Sequence, residues 1–123
     1  MTQAAEIPAT AAEARNRVHD LLQAHPQPLD EVFLIDALLI TSELVTNARR
    51  HAGGVTAFAA RITDDRLEIL VEDAVPQHPV AVPHNGPGEV GGYGWPMVCQ
   101  LATSVDITPT DAGKAIAVAV HLR

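Results

Sequence analysis

The sequence is poor in lysine and cysteine and has no long apolar run. Of its eight cationic side chains only Lys114 is a lysine. No basic cluster exceeds Arg49-Arg50, and 15 acidic residues leave a net charge of −7. A nucleic-acid surface needs a concentrated positive patch to neutralise phosphates, so direct nucleic-acid binding is not expected. No stretch reaches the roughly 20 apolar residues that span a bilayer, and Met1 to Glu6 lack the positive flank and apolar centre of a signal peptide. No membrane association is therefore expected. The single cysteine, Cys99, cannot form an internal disulfide, which points to a reducing cytoplasm. Six histidines are scattered without an HExxH arrangement, and there is no CxxC pair to suggest a zinc enzyme. The absence of GxxxxGK[ST] excludes a P-loop.

What is present is a globular composition. The chain has 123 residues, 47% apolar and 19% charged, enough for one domain with one core. Residues 1–9 read as a tail and residues 10–123 as the domain. Thr10-Ala11-Ala12-Glu13 matches a capping box. The helix it opens carries Ala14, Val18, Leu21 and Leu22 on one face and should stop near His25, before Pro26 and Pro28. A second helix is expected from an N-cap at Asp30 to about Ala52, ended by Gly53-Gly54. Its first half, Val32 to Ile40, is apolar nearly all round apart from Asp36, which predicts burial on most sides.

Beyond Gly54 the pattern becomes that of strands. Val55 to Ile62 and Leu67 to Asp73 flank a turn at Thr63-Asp64-Asp65-Arg66, and the second run alternates Leu67, Ile69 and Val71 against Glu68, Leu70 and Glu72. The segment from Ala74 to Gly92 holds four prolines and four glycines. A loop of this length inside a compact domain is usually functional. A short helix over Tyr93 to Ala102 and strands over Ser104 to Thr108 and Lys114 to Leu122 complete the chain. Antiparallel hairpins with helices gathered on one face make a two-layer α+β sandwich.

Three groups of residues could carry chemistry. Asp36, Ile40, Glu43, Asn47 and Arg50 follow helical spacing along one stripe. This is either a solvated face with cations near the helix C-terminus, or a face on which Asn47 gives an oxygen to Mg²⁺ and Glu43 activates a hydroxyl. Asp73 falls by alternation on the apolar side of its strand. It either makes its own turn or meets a ligand amine or backbone donors. Gly91-Gly92-Tyr93-Gly94-Trp95 leads into a helix, which suits either a hinge or close backbone approach to an anion.

In order and spacing these residues resemble the GHKL (Bergerat-fold) ATP-binding superfamily, which includes gyrase, the large heat-shock chaperone and histidine kinases. The chain is similar to its small bacterial branch: anti-sigma factors that act as serine/threonine kinases, and related stand-alone ATP-binding regulatory proteins. The resemblance spans nearly the whole chain, from Ile7-Pro8-Ala9 to Gly113-Lys114. It implies a mixed, mostly antiparallel sheet covered on one face by about three helices, with a lid at about 74–92. It also implies ATP and Mg²⁺ as ligands. The N-box falls on Glu43 to Ala52, with Asn47 as the metal ligand, Glu43 as the general base and Arg50 facing the nucleotide. The G1 box falls on Val71 to Val75, with Asp73 on the adenine amine, and the G2 box, Gly92-Tyr93-Gly94-Trp95, lies at the phosphates. The sequence differs from the family at Ala74-Val75, where Gly or Ser usually follows the adenine Asp, and at Tyr93, where Arg is usual. The implied role is a switch-protein kinase whose partners are a sigma factor, an anti-sigma antagonist or both, with a homodimer left open. A nucleotide-gated binding module without transfer, and an interaction domain with a degenerate pocket, stay open beside it.

Overall fold

The computed structural model describes residues 6–79 and 94–122. The elements are α1 (Ala11–Gln23), α2 (Glu31–His51), β1 (Val55–Thr63), β2 (Arg66–Asp73), α3 (Gly94–Leu101), β3 (Ser104–Pro109) and β4 (Lys114–His121). Helix starts are set by side-chain caps. Thr10 Oγ1 accepts from the Glu13 N–H at 3.0 Å, and Asp30 Oδ1 accepts from the Val32 N–H at 2.8 Å. α1 stops at Gln23, two residues before His25, in keeping with the bar that Pro26 places on helical geometry in the residue before it. α2 ends as Gly53 takes φ +73° and the Gly54 N–H returns to the Ala48 carbonyl at 2.9 Å.

The strands order as β1-β2-β4-β3, and every pairing among the described residues is antiparallel. β1 and β2 join through a tight turn in which Asp64 adopts φ +52°, a left-handed conformation that Asp tolerates. Period-2 alternation sends Phe58 and Ala60 of β1, Leu67, Ile69 and Val71 of β2, and Ile116, Val118 and Val120 of β4 to one side of the sheet. There they meet Ala14, Val18, Leu21 and Leu22 of α1, and Phe33, Ala37, Ile40, Leu44 and Val45 of α2, in one core. Among the described residues the result is the α+β two-layer sandwich expected, with three helices on one face of a four-stranded sheet.

One expectation is overturned. The first half of α2 is not buried on most sides: Val32, Ile35 and Leu39 are 64, 52 and 40% exposed. A two-layer sandwich puts nothing outside its helix layer. A helix lying on the sheet buries the stripe Phe33, Ala37, Ile40, Thr41 and Leu44 and turns its opposite stripe to water. No described helix is long and apolar enough to cross a membrane. Of the expected lid, only Ala74 to Pro79 lie among the described residues.

Candidate functional site

β2 and β4 run side by side through the middle of the sheet, and their register places Asp73, the last residue of β2, opposite Lys114, the first of β4. Both side chains are buried, Asp73 to 3% and Lys114 to 5% exposure. A buried charge must be paired and hydrogen-bonded. Lys114 Nζ lies 2.9 Å from Asp73 Oδ2 and 3.0 Å from Oδ1, and also donates to the Val75 carbonyl at 2.9 Å. Asp73 Oδ1 further accepts the Val75 N–H at 3.0 Å. Asp73 therefore closes its own turn, as the plainer reading of the sequence allows, and also faces inward.

Lys114 has no role in the sequence reading, although a signal was available. It is the only lysine of the chain, and it falls on the inward face of a strand that continues Ile116, Val118, Val120. Gly113 beside it is required by close approach. A β-carbon there would collide with the Asp73 carbonyl oxygen and would stand 2.6 Å from the Ala74 carbonyl carbon and 2.7 Å from the Val75 nitrogen.

Across from this pair, the C-terminal half of α2 supplies the other wall of a cavity of about 230 Å³. Leu44, Asn47, Ala48 and His51 line it from the helix, with Asp73, Val75 and Lys114 opposite. Among the described residues the Asn47 side-chain nitrogen is buried there without a hydrogen-bond partner. Buried amides are otherwise satisfied, and a side-chain amide carries both an oxygen acceptor and a nitrogen donor. Asn47 is thus a polar group in a cavity wall with bonding capacity left for a ligand. Gln77 and His78 also reach the cavity, and with His51 they are additions that the sequence reading did not include.

The remaining candidates divide. Glu43, one turn before Asn47, packs against the first residue of α3: a β-carbon at Gly94 would collide with its carboxylate. Its partner in space is the start of α3, and the described cavity wall begins at Leu44. Trp95 is half-buried and packs on the core. Arg50 is exposed on the last turn of α2, and the helix residue that reaches the cavity beside it is His51. Gly92 and Tyr93 lie outside the described residues. A larger concavity of about 510 Å³ on the face of the sheet opposite the helices is lined by Ala59, Leu70, Ala117 and the Arg61–Glu68 ion pair. No described candidate residue lines it.

Two comparisons bear on this arrangement. A family model described as a histidine kinase-like ATPase domain matches residues 4–120. No curated protein matches the chain.

Proposed function

The chain belongs to the histidine kinase-like ATPase domain family, and we propose that the cavity between α2 and the β2–β4 pair binds ATP with Mg²⁺ and serves an anti-sigma-type serine/threonine switch kinase. The observation that carries the nucleotide reading is that an Asn47 amide whose nitrogen has no partner among the described residues and an inward-facing Asp73 carboxylate line opposite walls of one cavity. Asp73 is suited to accept from the adenine amine, because a carboxylate offers about four acceptor sites and only three are drawn on by Val75 and Lys114. Val75 stands beside it on the base side. Asn47 would hold the metal through its amide oxygen. Among the described residues no three His, Cys, Asp or Glu side chains converge, so a Mg²⁺ ion would take its other ligands from phosphates and water, as this hard cation commonly does. When bound, it neutralises phosphate charge. The G2 residues Gly92, Tyr93 and Gly94, with Trp95 and Arg50, belong to the phosphate side in this reading.

Glu43 is assigned to chemistry. In the transfer, the γ-phosphoryl group leaves ADP and bonds to a serine oxygen of an antagonist protein, and the hydroxyl proton passes to the Glu43 carboxylate. General-base action of this kind contributes about 10²–10⁴-fold. The partners are a sigma factor, which the domain sequesters, and the antagonist that it phosphorylates. The packing of Glu43 against Gly94, beside the cavity rather than in its described wall, favours a second reading. In that reading the same pocket gates partner binding without transfer.

Titration with ATP, with and without Mg²⁺, tests the pocket, and transfer of labelled γ-phosphate to candidate antagonists tests the kinase. Metal-dependent ATP binding with transfer is the expected result. Binding without transfer to any antagonist would select the gated module, and no binding would leave an interaction domain.

A further inference from the structure

We propose that Lys114 reads the base: one N–H of its buried ammonium donates to ring nitrogen N1 of the adenine whose amine Asp73 accepts. The inference rests on the nucleotide reading of the cavity and adds to it a residue that decides which base edge is held.

The argument is a count of donors and acceptors at fixed positions. An ammonium has three N–H donors and no acceptor. Lys114 Nζ has the two oxygens of Asp73 at 2.9 and 3.0 Å and the Val75 carbonyl at 2.9 Å. The two oxygens belong to one carboxylate on one side of the nitrogen, so a shared N–H serves them and a second serves Val75. Among the described residues nothing takes the third N–H, on a side chain that lines the cavity. Asp73 has the complementary remainder. Its Oδ1 takes Val75 N–H and Lys114, its Oδ2 takes Lys114, and one acceptor site on Oδ2 stays open.

The floor of the cavity therefore presents one acceptor beside one donor. Adenine offers the matching edge, since its amine and N1 are both bonded to C6, the first a donor and the second an acceptor. The pair also cancels its own charge, so a neutral base meets no uncompensated ion. Both groups are held in place by burial and by the register of β2 and β4. A site whose buried polar groups are left unpaired discriminates strongly against the ligand that lacks the matching atom.

The test removes the acceptor from the ligand and the donor from the protein. The full chain is titrated calorimetrically with ATP and with 1-deazaadenosine triphosphate, in which N1 is replaced by C–H. Wild-type protein should bind the analogue about tenfold more weakly. Lys114→Gln keeps two donors, enough for Asp73 and Val75, but has no third. It should bind ATP about tenfold more weakly than wild type does, and bind the two ligands alike. Where Lys114→Gln does not fold, as judged by its melting curve, Asp73→Asn with Lys114→Met removes both charges together and should likewise bind the two ligands alike. Equal binding of both ligands by wild type, or undiminished discrimination by the variants, would overturn this inference while the ATP site stands. Failure of wild type to bind ATP at all would remove the nucleotide reading, and this inference with it.

Discussion

Gly113 lies closer to the carbonyl of Asp73 than a residue with a β-carbon could. The same approach brings the start of β4 against the Ala74–Val75 backbone, and it is what lets Lys114 reach both Asp73 and Val75. Gly113→Ala should therefore force two backbone segments apart. A loss of about 1–3 kcal/mol, typical of overpacking, is expected in urea unfolding, together with weakened ATP binding. Gly94→Ala makes a useful contrast, because there the colliding group is the flexible end of Glu43. Its stability cost should be smaller, and Glu43→Ala in the same chain should relieve it. Equal costs for the two glycine variants would contradict the distinction.

Asp73→Asn acts on folding and on binding at once. Asn keeps an acceptor for Val75 but leaves the buried Lys114 ammonium without its counter-charge. Breaking a buried pair outright costs about 3–5 kcal/mol, and a retained hydrogen bond should keep the loss below that range. Thermal unfolding should show the loss. ATP affinity should also fall, since a hydrogen bond to a charged group contributes roughly 1.5–3 kcal/mol. The inward partner makes this variant less stable, a cost that is not visible from Asp73 alone. Unchanged stability with unchanged ATP affinity would separate Asp73 from both roles.

Asn47 and Glu43 should divide binding from chemistry. Asn47→Ala removes an amide whose nitrogen has no partner among the described residues, so it should cost little stability while abolishing the metal-dependent part of ATP affinity. Glu43→Ala should still bind ATP and fail to transfer phosphate. Titrations with and without Mg²⁺ followed by a transfer assay read both effects. A Glu43→Ala variant that transfers at the wild-type rate would return Glu43 to a packing role beside Gly94.

The two stripes of α2 should respond in opposite ways. Ile40 is fully buried, and Ile40→Ala should cost about 2–5 kcal/mol. Ile35, five residues earlier and 52% exposed, should tolerate Ile35→Gln within about 0.5 kcal/mol. Denaturant unfolding of the two variants checks this directly. Similar losses would mean that a partner covers the outer stripe of α2 in solution.

Helix and strand identity, and the inward residues of α1 and β2, were determined by the sequence alone, because they follow from local rules. Thr10 and Asp30 can cap helices by themselves, and Leu67, Ile69, Val71 and Asp73 alternate whatever the sheet order. The stripe from Glu43 to Asn47 is likewise a property of one helix. Three matters were decided only by tertiary structure. Which side of a helical stretch that is apolar nearly all round is buried depends on how many layers lie over it, so Val32, Ile35 and Leu39 could not be placed from their neighbours. The Asp73–Lys114 pair joins residues 41 positions apart, and it exists because β4 inserts between β2 and β3, a choice of strand order that periodicity does not encode. Gly113 reads as an ordinary turn glycine until that order brings the Asp73 backbone against it. Local propensity fixes which way each side chain can point, and only the packing of distant segments fixes what it meets.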